Sequence, residues 1–289
     1  MGSTMTVCVG VAVNDCLVFA ADSASSLVRT NPQLGTSEVL NVYQHGDKVF
    51  NLFKTLPICA MTCGMGNIGQ ASISTLAKEL RRRIMKGDAD WKIDKANYTL
   101  EQIAIKARKL FFDEHFCKLN PVPPAPHSLE FWIGGYSSNF DAGHEIWKIT
   151  IENGNCAAPI CVLKGGGTGL FSGGQPEAIH RLVAGFDPRI YDELIKSGVD
   201  QKTASDLMNH LKSKLESSLV FPTMPVRDAI DLADFMVETT KRYFRFLPGA
   251  DIVGGDTDVA VVTKYEGFKW IKRKHFYSQS LNILETDHA

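Results

Sequence analysis

The chain has 289 residues, enough to bury a sizeable core as one large domain or two small ones. Its 31 basic and 32 acidic residues leave a formal net charge of -1, so no basic excess exists to neutralise a run of phosphates, and nucleic acid is not expected as a partner. Apolar residues make up 44% and charged residues 22%, a globular balance that excludes disorder and fibre. No apolar run approaches the roughly 18 residues of a membrane-spanning helix, and the start lacks the basic and apolar regions of a signal peptide. A cytoplasmic location without membrane attachment is therefore expected. The loose match of Met1-Gly2 and Thr6 to a myristoylation pattern has no polybasic second anchor behind it. Seven cysteines, an odd number, suit a reducing compartment and predict free, mostly buried thiols. Met1-Gly2-Ser3-Thr4 reads as a cloning remnant, with Met5 as the natural start; the alternative is that residues 1–5 are a short leader.

In chain order, the apolar run at 7–13, the turn Asn14-Asp15 and the apolar run at 17–21 predict a buried hairpin. An irregular stretch is expected over 28–46, then a second strand pair at 48–53 and 57–63. Ile73, Leu76, Ala77, Leu80 and Ile84 fall on one helical face, as do Ile103, Ala107, Leu110 and Phe111. The proline-rich segment at 121–126 is read as a loop. Strands are expected again at 129–134, 145–151 and 158–163. Helices follow with faces at Ala204, Leu207, Met208, Leu211 and Leu215, and at Leu232, Ala233, Met236, Thr240 and Tyr243. Strands at 259–263 and 268–271 close the chain. This order indicates an α+β fold with mainly antiparallel sheets, and two facing sheets covered by helices would use every element.

Several motifs point away from cofactors and metals. Gly64-Met-Gly66-Asn-Ile-Gly69 has the glycine spacing of a dinucleotide loop, but the polar stretch at 86–94 offers no second strand ending in an acid. Gly165 to Gly169 and Gly173-Gly174 lack the lysine of a phosphate-binding loop and are read as turns. Cys59 and Cys63 have no further ligands at zinc-site spacing, and Asp256 and Asp258 lack a third acid, so no metal or cofactor is expected. No Gly-x-Ser-x-Gly elbow supports a serine hydrolase.

What remains is Thr6 at the head of the first hairpin, Ala20-Ala-Asp22-Ser23 at its end, Lys48 opening the third strand and Gly64 ending the fourth. A threonine hydroxyl becomes a useful nucleophile when a base lies beside it, and a chain that begins with threonine carries one in its own α-amine, of pKa about 7.7–8.0. A lysine held against the hydroxyl would favour its deprotonation, an aspartate would orient that lysine, and a glycine N–H could receive the oxyanion.

On these residues the chain resembles the proteasome β-subunit family of N-terminal-nucleophile hydrolases, including its bacterial proteasome-like members. Asp22 lies 16 positions after Thr6, as the family pattern asks. The resemblance implies Thr6 as nucleophile, Asp22 as partner of the lysine, Lys48-Val49 as the family's lysine dipeptide, and Cys63-Gly64-Met65 as its oxyanion turn. Asp251-Ile-Val-Gly254-Gly255 is similar to the family's Asp-x-x-Ser-Gly-Gly, which gives Asp251 the task of orienting the terminal threonine. The Gly-Ser-Gly that bonds the terminal amine is matched by Gly167-Thr168-Gly169. By family position Ser25, Thr62 and Gly66 line the pocket beside the nucleophile, and Ser26 reaches the substrate backbone. The departures are Gly254 in place of serine, Thr168 in place of serine, Met5 rather than glycine before Thr6, and a longer chain between Asp22 and Lys48.

The resemblance implies a four-layer α-β-β-α sandwich in a single domain over 6–289, with a helical insertion near 187–220. It also implies a threonine-type peptidase acting on peptide or protein substrates and assembling as a ring-like homo-oligomer. Whether an ATP-driven unfoldase serves as partner is left open. The alternative is a catalytically inactive homologue serving as scaffold or binding protein.

Overall fold

The computed structural model describes residues 6–31, 36–123, 127–187, 189–249 and 252–275. Small and β-branched runs on either side of Asn14-Asp15 pair as β1 (Val7–Val13) and β2 (Cys16–Ala21), and both strands are buried throughout. A second hairpin follows, β3 (Ser25–Asn31) and β4 (Thr36–Tyr43), within the stretch read from sequence as irregular. Its strands are rich in Ser, Thr and Asn, and Leu27, Leu40 and Tyr43 are exposed, so it lacks the one-sided apolar alternation that announces a half-buried strand.

Next come β5 (Val49–Asn51), β6 (Ile58–Gly64) and the short strands β7 (Asn67–Ile68) and β8 (Ala71–Ser72). Helix α1 (Ile73–Lys86) starts where the Ser72 hydroxyl accepts the Thr75 amide, and its five predicted stripe residues are all buried. Helix α2 (Leu100–Arg108) opens with a reciprocal capping box between Thr99 and Gln102 and runs on as a wider π turn over 109–115. Strands β9 (Ser128–Tyr136), β10 (His144–Glu152), β11 (Asn155–Cys156), β12 (Ile160–Leu163) and β13 (Gly169–Gly174) follow. The last corrects the reading of Gly173-Gly174 as a turn: the open side of β1 takes Gly169–Gly174 as a strand partner, and tertiary pairing overrides a weak strand propensity. The remaining elements are α3 (Glu177–Ala184), α4 (Ile190–Lys196), α5 (Gln201–Leu215), α6 (Val226–Arg245), β14 (Asp258–Thr263) and β15 (Gly267–Lys272). The apolar face expected on α5 is not buried: of its residues only Ala204 is, while Leu207 and Leu215 are exposed.

One antiparallel sheet has the order β13-β1-β2-β14-β15, and the other runs β11-β10-β9-β6-β5 with β12 also paired to β10. The core divides into three clusters that follow these sheets. One joins α1 and α2 to β6, β9 and β10; one joins α6 to β1, β2 and β14. The third holds residues from both sheets, among them Cys8, Phe19 and Val262 of the first and Met61 and Trp132 of the second. Alternate residues of β1 thus serve different clusters: Val7, Val9 and Val11 pack with α6, while Cys8 and Ala12 meet the other sheet. Of the seven cysteines, all free, Cys8, Cys16, Cys59, Cys63 and Cys156 are buried, Cys161 is half-buried and Cys117 is exposed. Among the described residues no helix is long and apolar enough to cross a membrane.

Candidate active site

Thr6 sits at the head of β1 and is 3% exposed. It extends the β1–β13 ladder by one step, because its carbonyl accepts the Gln175 amide at 2.7 Å. Gly174 faces Val7 in that ladder at φ +81°, and a Cβ there would lie 1.9 Å from the Thr6 carbonyl oxygen. Only glycine allows the backbone of Thr6 this seat. Read from sequence, Gly173-Gly174 is a turn with no part in the site and Gln175 has no role; the signal available was the Gly-Gly pair just before a helix start.

Directly after β2, Asp22 is fully buried, and all four of its acceptor positions are filled. Its Oδ1 accepts the Val7 amide at 3.1 Å and the Lys48 ammonium at 2.7 Å. Its Oδ2 accepts the amides of Ala24 at 3.2 Å and Gly254 at 3.0 Å. The Asp22 amide in turn donates to the Val7 carbonyl at 3.3 Å. Val7, the residue that follows Thr6, is therefore held by Asp22 at both its N–H and its C=O. Lys48, also buried, enters from just before β5, and its carbonyl accepts the Thr62 amide of β6 at 2.9 Å. A buried ammonium so close to a buried carboxylate is stable only because the carboxylate carries three further donors.

Gly64 closes β6 at φ +98°, where a Cβ would stand 2.2 Å from the Ser128 carbonyl oxygen. The Met65 amide donates to that oxygen at 2.8 Å. Cys63 beside it contacts the Glu130 carboxylate at 3.4 Å, and hydrogen bonding with Cys8 together with burial pushes its thiol well up, so it stays neutral.

The residues assigned to substrate lie around the same end of β6. An ideal Cβ on Gly66 would be 3.2 Å from the Ser25 hydroxyl, so these two are neighbours. Thr62 donates its hydroxyl to the Glu130 carbonyl at 2.9 Å, and the Ser26 hydroxyl is buried without a hydrogen-bond partner among the described residues. Gly254, which departs from serine, binds through its backbone: besides its amide on Asp22, its carbonyl accepts the amides of Ser23 and Ala24, both at 2.9 Å. Asp251 lies outside the described residues.

Thr168 requires a correction. It precedes Gly169, which faces Ala12, whereas Gly174 faces Val7, so Thr168 stands at the far end of β13 from Thr6. At roughly 3.4 Å per residue along a strand, that is some 20 Å from the terminal amine it was matched to.

Neither the known family models nor the curated proteins give a match to this chain. Among solved structures, the "Helical Assembly of the Anbu Complex from Pseudomonas aeruginosa" contains a chain similar to this one, with a TM-score of 0.50 at 14% identity, over 95% of this chain and 90% of that one. At that identity the likeness speaks for the fold alone, shared along nearly the whole length of both chains.

Proposed function

We propose that this protein is a proteasome-type N-terminal-threonine hydrolase that cleaves peptide bonds once Thr6 is the first residue. The observation that carries the reading is the buried Asp22–Lys48 pair, whose carboxylate also holds the amide next to Thr6. In this reading Thr6 Oγ attacks the carbonyl carbon of the scissile bond while its proton passes to the α-amine, with Lys48 lowering the cost of the developing alkoxide. The Gly64 amide receives the oxyanion, the α-amine returns the proton to the leaving nitrogen, and water then hydrolyses the Thr6 ester. Asp251 orients the terminal threonine, as the family resemblance implies.

The same reading takes the two sheets and their helices as a four-layer α-β-β-α sandwich in one domain over 6–289, with 187–220 as a helical insertion. It takes the protein as cytosolic and assembled from copies of itself, in keeping with the multi-subunit Anbu complex. Ser25, Ser26, Thr62 and Gly66 carry no charge, and a buried ionic side chain costs several kcal/mol unless it is paired. Small or apolar residues before the cleaved bond are therefore preferred.

A second reading, a catalytically silent scaffold, draws on two observations: Gly254 has no hydroxyl, and Thr168 lies far from Thr6. A panel of short fluorogenic peptides differing in the residue before the cleaved bond, given to protein that starts at Thr6, separates the two. Cleavage after small or apolar residues supports the hydrolase, and cleavage of no member supports the scaffold.

A further inference from the structure

A second buried lysine lies behind the first. Lys274, two residues past β15, has a side chain only 4% exposed and pairs with the Asp258 carboxylate, itself 3% exposed. Its backbone amide donates to the same carboxylate at 3.1 Å. The Lys274 ammonium also donates to the Ser23 hydroxyl at 2.7 Å and stands 3.9 Å from the Asp47 carboxylate. The ammonium thus has two hydrogen-bond acceptors, Ser23 and Asp258, and a third group, the Asp47 carboxylate, at ion-pair distance.

The identity of those acceptors is the informative part. Ser23 follows Asp22 and Asp47 precedes Lys48, so Lys274 reaches the immediate neighbour of each member of the candidate catalytic pair. The chain itself ties that pair loosely, because β3 and β4 intervene between Asp22 and Lys48. Two bonds fasten the Ser23 side of this seam: the Gly46 amide donates to the Ser23 carbonyl at 2.8 Å, and the Ser23 hydroxyl donates to the Asp256 carbonyl at 2.5 Å. Asp258 faces Ala21 across β2 and β14, so the anchor of Lys274 is one step from Asp22 along the ladder. Burying a lysine here is costly unless it is fully paired, and a methionine of similar size would fill the space without that cost. What the ammonium adds is a directional link among three segments.

We propose that Lys274 is a positioning residue, which clamps Ser23 and Asp47 against Asp258 and so fixes the approach of Lys48 to Asp22. The proposal rests on the reading of Thr6 as the nucleophile for its catalytic consequence, but its structural content can be measured without turnover.

The test uses full-length protein starting at Thr6 in five forms: unaltered, Lys274→Met, Lys274→Arg, Ser23→Ala, and Lys78→Met as an exposed control that also faces Asp47 at 3.9 Å. Hydrogen exchange is followed at the Val7, Ala24 and Gly254 amides, which all donate to Asp22. Lys274→Met is expected to speed exchange at these three amides by about tenfold relative to the rest of the sheet. On a cleaved peptide it should lower kcat by about ten- to a hundredfold with KM unchanged, since a small misplacement of catalytic groups acts on the chemical step. Lys274→Arg should restore most of both, Ser23→Ala should move both in the same direction by less, and Lys78→Met should move neither. Folded Lys274→Met protein with unaltered exchange at the three amides overturns the proposal. Should Lys274→Met not fold, unaltered exchange in Ser23→Ala overturns it instead. If even the unaltered protein cleaves nothing, the hydrolase reading fails, while the exchange data still decide on the clamp.

Discussion

Asp22 and Lys48 lie 26 positions apart in the chain, yet the carboxylate accepts the ammonium at 2.7 Å and neither side chain is more than 8% exposed. Between them the chain forms the β3–β4 strand pair, so the pairing is a product of sheet assembly and not of local structure. The same carboxylate holds the amide that follows Thr6, and this places a cation, an anion and a threonine at one end of β1.

Breaking this pair from its two sides should give different results. Asp22→Ala strands a buried ammonium and three amides, and is expected to cost about 3–5 kcal/mol of stability along with all turnover. Lys48→Met leaves the carboxylate with its three amide donors, so denaturant unfolding should show a smaller loss, while turnover falls by about 10²–10⁴. Equal stability losses from both changes would contradict the account of Asp22 as the hub.

Gly174 and Gly154 share a left-handed backbone, at φ +81° and +83°, but only at Gly174 does a Cβ meet the Thr6 carbonyl; at Gly154 it meets nothing within 4 Å. Gly154→Ala should therefore show the conformational cost alone, about 1–2 kcal/mol, with turnover kept. Gly174→Ala should cost more in thermal stability and abolish turnover by displacing Thr6. Equal effects on turnover would show that the seat of Thr6 is unimportant.

Thiol reactivity should follow burial. Cys117 is exposed and Cys161 half-buried, whereas burial pushes the Cys16 thiol up to about 12, and hydrogen bonding with Cys8 together with burial holds Cys63 well above the ordinary thiol range. Treating folded protein with iodoacetamide and weighing it intact should show Cys117 modified first and Cys161 slowly, with the other five reacting only on unfolding. Early labelling of Cys63 would mean that the end of β6 opens in solution.

His144 gives a pH signature. Burial holds its imidazole below the ordinary 6.5, its Nε2 donates to the Gly167 carbonyl at 2.9 Å, and its Nδ1 is buried without a partner among the described residues. Protonating Nδ1 would bury an unsatisfied N–H. With the folded value depressed below the unfolded one, the stability His144 contributes is fully present above about pH 6.5 and is lost as pH falls through the folded value. From neutral pH down to about pH 5, the natural protein should lose more stability than His144→Gln, measured by urea unfolding. Parallel losses would contradict this.

Much of this was legible in the sequence because strong local patterns coincided with burial. The Val7–Val13 and Cys16–Ala21 hairpin, the stripe of α1 and the long apolar face of α6 are each readable from period and composition. The Thr6, Asp22, Lys48 and Gly64 set was legible as a spacing, although nothing in the sequence showed that Asp22 would take four donors. What escaped was decided by partners distant in the chain. β13 is half glycine and becomes a strand only because β1 has a free side, which is also why Thr168 was matched to the wrong end of it. β3 and β4 carry no one-sided apolar alternation in their sequence, and Lys274 gives no local signal, since its acceptors come from segments some 16 to 251 positions away.

The most direct test of the central claim compares two forms of one protein, the full chain retaining residues 1–5 and a form whose first residue is Thr6, each verified by N-terminal mass spectrometry. The nucleophile's own α-amine is the local base in this account, and a preceding peptide bond removes it. Hydrolysis of an apolar fluorogenic peptide by the Thr6 form alone is the predicted result. Equal rates from the form that retains residues 1–5 would contradict it.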